Sequence, residues 1–146
     1  MTVTEINTAC GLRAFYRFSE EVYPAPTLHK STEDDVMKML LEKKSVFAEH
    51  ADIRIFIIEE DDKILARFAL IHDKKLPGFV QVSFFEALPH AGNVAELIKA
   101  KAKELFPEVP EMVVGLNGHL NYGAGMLINH QDLPPLFGLP YNPAYY

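Results

Sequence analysis

Apolar and polar residues repeat with two different periods along this chain, and the changes of period mark the predicted elements. Residues 79–86 are rich in β-branched and aromatic side chains, which is typical of a buried strand. Residues 94–106 place apolar side chains on one helical face, and Asn93 is positioned to cap that helix. Residues 112–117 again have the pattern of a buried strand. Strand, helix and strand in this order predict a parallel crossover unit, around which the rest of the chain can be arranged.

Ahead of this unit the pattern predicts one strand and two helices. Residues 2–8 have the alternation of a short strand. Residues 11–23 carry apolar side chains at near-helical spacing, and Pro24 ends that helix because it cannot continue it. Ser31 or Thr32 is positioned to cap a second helix, whose first turn is acidic, as the helix dipole favours.

The middle and the C-terminal segments complete a mixed sheet. Residues 53–59 and 64–72 are strand-like and flank a polar turn, so they predict an antiparallel hairpin. Residues 126–128 predict another short strand. Early helices, an antiparallel hairpin and a parallel crossover together predict an α/β (α+β) fold with a mixed sheet, in one domain that spans residues 1–146.

Composition narrows the class of protein. A chain of 146 residues with 49% hydrophobic residues is long enough for one compact domain with its own core. The net charge of −6 argues against nucleic acid or an anionic membrane as a partner, because both select positive surface. Cys10 is the single cysteine and no apolar run approaches the roughly 18 residues of a membrane span. We therefore expect a cytoplasmic protein.

Several common kinds of site lack their sequence signature. The six histidines are dispersed, without the spacing of metal ligands, so we expect no metal. The sequence has no P-loop, no Rossmann glycine motif and no nucleophile elbow. Cys10 lies near a predicted helix start, where a thiolate is favoured, but an idle thiol is the simpler interpretation.

Several segments, taken in order, resemble proteins of the GNAT superfamily, the acyl-CoA-dependent N-acyltransferases. They are LRAFYRFSEEVY, SVFAEHADIRIFIIEEDDKILARFALIHD, GFVQVSFFEAL and GLNGHLNYGAGMLINHQDLPPLFGLPYNPAYY. The resemblance covers most of residues 12–146, and it is to the first module of longer chains that carry two such modules. It implies that the fourth and fifth strands of the sheet diverge after Glu86. The opening would receive acetyl-CoA or another acyl-CoA, whose acyl group passes to a small amine.

The resemblance also implies which residues contact the cofactor. The pantetheine arm would pair with the backbone of the fourth strand, and the diphosphate would meet the loop that follows, where a helix N-terminus favours anions. A plain helix-capping turn is the alternative interpretation of that loop. The cofactor-binding residues implied are Phe84, Phe85, Leu88, Ala91, Gly92 and Asn93.

Three residues are candidates for catalysis. In an acetyltransferase a carboxylate at the position of Glu86 can act as general base for the amine; the alternative is a strand-end glutamate that faces solvent. Asn117 and His119 follow the predicted fifth strand and would face the cleft. His119 is a second candidate base, because histidine is a common general base, although such residues more often hydrogen-bond a glycine-rich loop.

Two departures from the GNAT pattern favour a second hypothesis. The loop at residues 87–93 has one glycine and a proline where the family has a glycine-rich phosphate loop. The family also continues past the fifth strand into a helix that would begin near Tyr146. A non-catalytic GNAT-like module or fragment is therefore the alternative, and it would need a homodimer or a second module as partner. The aromatic tail with Tyr141, Tyr145 and Tyr146 is either a strap over the sheet edge or that interface.

Overall fold

The described part of the chain forms a five-stranded mixed sheet with helices on both of its faces. The structure, a computed structural model, describes residues 1–23, 33–133 and 141–146. Its strands are β1 (Thr2–Glu5), β2 (Ala51–Glu60), β3 (Lys63–Asp73), β4 (Phe79–Ala87) and β5 (Glu111–Val114). Its helices are α1 (Ala9–Arg17), α2 (Ser19–Val22), α3 (Glu33–Leu41) and α4 (Val94–Leu105), and short 3₁₀ turns lie at Val46–Glu49 and Leu120–Tyr122.

The strands follow one another across the sheet in chain order. β1 to β4 are antiparallel neighbours, and β4 pairs with β5 in parallel. The parallel pair is joined through α4, because parallel strands require a crossover connection. The mixed sheet and the strand–helix–strand unit are therefore confirmed.

Successive side chains of the long strands point to opposite faces of the sheet and pack into two separate hydrophobic cores. On one face Phe56, Phe68 and Val82 pack with Val94 and Ile98 of α4. The rings of Phe56 and Phe68 stack with centroids 5.1 Å apart. On the other face residues of β2 and β3 pack with α1 and α3, and the contributing side chains include Phe15, Met37, Leu40, Ile55 and Ile71. Burial on both faces explains why β2 and β3 read as nearly continuous apolar runs.

The predicted hairpin is present and is longer than expected. β2 and β3 pair from Ala51 opposite Asp73 to Glu60 opposite Lys63. The two turn residues, Asp61 and Asp62, both have positive φ, at 50° and 62°. A two-residue turn with this geometry matches the twist of the flanking strands, and aspartate tolerates it better than most residues.

The N-terminal elements differ from the prediction in their bounds. The first strand ends at Glu5, and Thr8 caps α1 by accepting a hydrogen bond from the amide of Gly11. The single helix expected for residues 11–23 is instead two short helices, α1 and α2, that meet at Phe18. The residues predicted to end the first helix and to cap the next, Pro24 and Ser31 or Thr32, lie outside the described residues.

Two predictions near the C-terminal end were wrong. β5 was expected to be buried, but Met112 and Val114 are 37% and 43% exposed. Among the described residues β5 is the last strand of the sheet and has a strand neighbour on one side only, which explains the exposure of its side chains. Residues 126–128 form no strand; a single antiparallel bridge joins Leu116 and Ala124 instead.

Candidate functional site

A β-bulge in β4 sets the geometry of the candidate site. Arg67 of β3 lies opposite Glu86, and Ala69 lies opposite Ser83, so β4 has one more residue than β3 over this stretch. Phe84 absorbs the extra residue and has φ 52°, which is uncommon outside glycine. Such a bulge bends its strand and changes the direction in which the following side chains point.

The bulge reverses the alternation of β4, so that even-numbered residues point to one face of the sheet before it and to the other face after it. Before it, Val82 packs in the core beside α4; after it, Ala87 does. Phe84 joins the core on the opposite face. Without the extra residue, Glu86 would point into the apolar core beside α4, where an isolated carboxylate is costly. With it, Glu86 lies on the other face.

Pairing between β4 and β5 ends before the bulge, because β5 itself ends at Val114, and this leaves an opening beside the rest of β4. Their backbones pair only from Phe79 opposite Glu111 to Val82 opposite Val114. The amide of Gly115 still donates to the carbonyl of Val82 at 3.2 Å. The strands were expected to diverge after Glu86. Instead they pair along the whole of β5, and the free edge of β4 begins earlier than predicted because β5 is short.

Side chains replace the missing backbone pairs at the start of the opening. The hydroxyl of Ser83 donates to the carbonyl of Leu116 at 2.6 Å. Asn117 Oδ1 accepts from the amide of Phe84 at 2.9 Å. Gln81 donates to the carbonyl of Gly118 at 3.1 Å and accepts from its amide at 2.8 Å. These contacts hold residues 116–118 beside β4 without a continuous ladder.

A groove of about 400 Å³ occupies the opening on the α4 side of the sheet. It runs from Val82 past Phe85 and Ala87 to the first turn of α4 at Val94 and Ala95. None of the described residues that line it has a charged side chain. An apolar groove along a strand edge suits an extended ligand with a few amide groups.

The backbone of Ala87 faces this groove. The next amide, that of Leu88, points the other way and donates to the carbonyl of Leu65 in β3. Two tyrosine hydroxyls meet Ala87: its amide donates to the oxygen of Tyr146 at 2.6 Å, and its carbonyl accepts from Tyr145 at 2.8 Å. The ring of Tyr146 also packs against Phe85, with centroids 5.2 Å apart.

A smaller cavity of about 60 Å³ lies on the opposite side of β4. Glu86 and Arg67 line it, together with Asn117 and Tyr146. Glu86 is only 6% exposed, so the alternative of a glutamate that faces solvent is wrong. Its Oε2 accepts from the hydroxyls of Tyr146 at 2.7 Å and of Tyr23 at 2.8 Å.

Burial and the neighbouring carboxylate keep the two tyrosines of the groove protonated. Burial is the main cause that raises the pKa of Tyr146 far above its ordinary value, and the negative charge of Glu86 adds to it. The same two causes, in the same order, raise the pKa of Tyr145. Both phenols are therefore hydrogen-bond donors at neutral pH.

Arg67 is the second buried charge of this region. It is 4% exposed, and its Nη1 donates to the carbonyls of Phe15 at 2.6 Å and Tyr16 at 3.2 Å. Its guanidinium lies over the ring of Phe15, with 5.0 Å between Cζ and the ring centroid. Arg67 thus ties the last turn of α1 to the sheet beside Glu86.

The structure separates the three candidate catalytic residues. Glu86 and Asn117 both line the small cavity, but the Asn117 side chain serves the backbone of Phe84. His119 does not line this cavity. It is exposed, and its Nδ1 accepts from the amide of Asn121 to cap a 3₁₀ turn.

The predicted phosphate-binding loop contributes fewer donors than expected. The amide of Ala91 donates to the carbonyl of Leu88 at 3.1 Å, within the loop itself. Gly92 has φ 63°, which explains the single glycine of the loop. Asn93 occupies the N-cap position of α4, but its side chain accepts no capping bond. That part of the prediction was wrong, and the first turn of α4 lacks a side-chain cap.

Sequence analysis missed Arg67 and Tyr23 as members of this region. A single arginine inside the apolar run of residues 64–71 is a detectable signal, since a charge there must be buried with partners. Tyr23 gave no comparable signal, because it meets Glu86 only across a separation of 63 residues.

The described residues offer neither a metal-binding cluster nor a helix suited to a membrane. Within residues 1–23, 33–133 and 141–146 no group of three or more His, Cys, Asp or Glu is placed to hold a metal ion. No helix in the same ranges combines the length and the apolar character needed to cross a membrane. Cys10 is an exposed free thiol.

Neither a known protein-family model nor a curated protein matches this chain.

Proposed function

We propose that this chain is a GNAT-like domain that binds acyl-CoA and transfers the acyl group to a small amine. The observation that carries the proposal is the groove beside the part of β4 that extends past the end of β5. Pairing between the two strands ends at Val82 and Val114, and the groove of about 400 Å³ follows the free edge of β4 to the start of α4. A topological opening beside the carboxyl ends of parallel strands is a general place for ligand binding.

The groove fits the extended arm of acyl-CoA. That arm carries amide groups, and Ala87 offers both an amide and a carbonyl on the groove side. A ligand that pairs with both groups gains main-chain hydrogen bonds in the manner of an added strand. The apolar lining from Val82 to Ile98 covers the methylene groups of the arm.

The first turn of α4 supports the diphosphate end of the ligand. Helix N-termini favour anions through their amides and the helix dipole, and α4 has no side-chain cap to compete. No described lining residue of the groove is basic, so phosphate recognition would rest on backbone amides. This predicts weaker binding than in a site with arginine or lysine contacts.

Acyl-CoA supplies an activated thioester when bound; the residues of the chain would hold the amine and move its proton. Glu86 is the candidate base, since it is the carboxylate at the cavity that adjoins the opening. Arg67 and Glu86 both line this cavity, so its two charges offset each other, and the net charge of −6 of the whole chain is what favours a cationic amine. The cavity of about 60 Å³ admits only a slim group, which supports a small primary amine as acceptor.

One observation favours a second function, a non-catalytic acyl-CoA-binding module. Glu86 is buried and accepts from two tyrosine hydroxyls, which stabilise the carboxylate and weaken it as a base. Such a module would act through a partner, either a second copy or a second module. The exposed apolar residues Met112 and Val114 on β5 support such an interface, and size-exclusion chromatography tests it.

Calorimetric titration with acetyl-CoA tests the binding site. Ala95 is an exposed residue of α4 that lines the groove, and Ala100 is an exposed residue of the same helix that does not. We expect the wild-type chain and Ala100→Trp to bind acetyl-CoA, and Ala95→Trp to lose binding, because the indole fills the groove. Equal binding by both variants would place the ligand elsewhere.

A thiol-release assay with a panel of small primary amines separates the two functions. The enzyme reading predicts amine-dependent release of CoA that Glu86→Gln reduces by roughly 10²-fold or more, the usual range for a general base. Binding of acetyl-CoA without release by any amine would support the non-catalytic module and exclude the transferase.

A further inference from the structure

Residues 141–146, which we call the strap, lie across the opening between β4 and β5. Asn142 anchors the strap near its start: it is 7% exposed, its Oδ1 accepts from the amide of Leu127 at 2.7 Å, and its Nδ2 donates to the carbonyl of Leu127 at 3.2 Å. The hydroxyl of Tyr141 donates to the carbonyl of Gln131 at 2.7 Å. The strap therefore has a defined seat on residues 127–131.

The far end of the strap occupies the polar groups of the groove. Tyr145 and Tyr146 use their hydroxyls to satisfy both the carbonyl and the amide of Ala87. Tyr146 also donates to Glu86, so a single side chain engages the strand edge and the buried carboxylate together. Both rings line the groove itself.

We infer that the strap is an intramolecular competitor of the ligand that enters this groove. The inference rests on the proposed acyl-CoA site and concerns its regulation. Ala87 presents one amide and one carbonyl, and neither can serve a tyrosine and an extended ligand arm at full strength simultaneously. Acyl-CoA must displace Tyr145 and Tyr146, and displacement also removes one donor from Glu86.

The contacts of the strap are suited to exchange. They are made by side chains, so they can break without opening the sheet, and Tyr145 is already 45% exposed. If the closed state is the dominant one, the apparent affinity for ligand equals the intrinsic affinity multiplied by the fraction of open molecules. Ligand binding and strap release would then be linked, and Glu86 would lose the Tyr146 hydrogen bond only when the groove is filled.

The double variant Tyr145→Phe/Tyr146→Phe tests this competition. It keeps both rings and removes the hydroxyls that hold Ala87 and Glu86. Each lost hydrogen bond changes the closing equilibrium by roughly 2- to 10-fold, so acetyl-CoA should bind the double variant at least about 5-fold more tightly than the wild type. Tyr16→Phe is the matched control, because its hydroxyl faces Glu42, away from the groove, and its affinity should equal that of the wild type.

Hydrogen exchange with and without acetyl-CoA measures the displacement of Tyr145 and Tyr146 in the wild-type chain. The ligand should slow exchange at residues 84–93 and speed it at residues 144–146, because Tyr145 and Tyr146 leave Ala87. Slower exchange in both segments would overturn the inference.

The outcomes distinguish the inference from the proposed function. Tighter binding by the double variant, with faster strap exchange, supports the inference. Equal affinity in wild type and variant overturns it and leaves the acyl-CoA site in place. Absence of acetyl-CoA binding in every variant at millimolar concentration overturns both.

Discussion

The two edges of β4 are satisfied in different ways. Toward β3, backbone partners run from Gln81 to Ala87, with one bulge. Toward β5, backbone pairing stops at Val82, and side chains take over as partners: Ser83, Asn117 and the tyrosines of the strap. Buried backbone groups require partners on both edges. Only the side-chain partners can be exchanged for a ligand without opening the sheet, so one edge is structural and the other is adaptable.

The largest contrast between the edges should appear on truncation of apolar residues. Phe68 of β3 is fully buried and stacks on Phe56. We expect Phe68→Ala to lower the free energy of unfolding by about 3–5 kcal/mol, the usual range for a buried phenylalanine. Val114→Ala on β5, where the side chain is 43% exposed, should cost less than about 1 kcal/mol. Urea denaturation measures both, and similar losses would contradict the contrast.

Loss of the two hydrogen bonds between Gln81 and Gly118 should cause the next largest decrease in the free energy of unfolding. Gln81 is fully buried and bonds both backbone groups of Gly118. Gln81→Leu keeps the volume but leaves an amide and a carbonyl without that partner, which we expect to cost roughly 2–4 kcal/mol. Gln131→Leu, which loses one half-buried bond to Leu127, is the control and should cost under about 1 kcal/mol.

Substitution of Asn117 should cause a moderate loss of stability, with local changes at Phe84. Asn117→Ala removes the acceptor for the amide of Phe84, and we expect a loss of about 1–2 kcal/mol. Exchange of the Phe84 amide should become faster, while the amides of β3 stay protected. Asn129→Ala, at an exposed position, is the control and should leave both stability and exchange unchanged.

The smallest predicted change in stability is the one caused by ionisation of Tyr146 at alkaline pH. The raised pKa of Tyr146 means that the folded chain keeps a proton that the unfolded chain loses near pH 10. Stability should therefore fall as the pH rises above about 10, by roughly 1 kcal/mol at one pH unit higher. Tyr146→Phe should reduce this loss relative to wild type in urea titrations at pH 9 and 11. An unchanged pH dependence would show that the hydroxyl is not buried against Glu86.

The sequence was informative where periodicity is strong. The hairpin of β2 and β3, the helix α4 and the parallel crossover were all predicted, because long apolar runs and a clear amphipathic face leave few alternatives. The burial of β5 was predicted wrongly, since apolar composition alone does not reveal that a strand lies at a sheet edge. The capping role of Asn93 failed for a similar reason: the residue type suits the position, but its side chain forms no bond.

The candidate site depended on features without a local signal. The bulge at Phe84 uses a phenylalanine with positive φ, which no residue preference predicts. The contacts of Tyr23 and Tyr146 with Glu86 join residues that are 63 and 60 positions apart. Glu86 itself was predicted as a site residue, whereas its burial and its two phenol donors follow only from the tertiary structure.

The most direct test of the adaptable edge is a titration of the isotopically labelled chain with acetyl-CoA, followed by the chemical shifts of backbone amides. The account predicts that the largest changes occur at Ala87 and in the first turn of α4, while the amides of β1 and β2 hardly move. Saturable binding with its largest changes elsewhere, or no change at millimolar acetyl-CoA, would contradict the proposal that this edge of β4 receives the ligand.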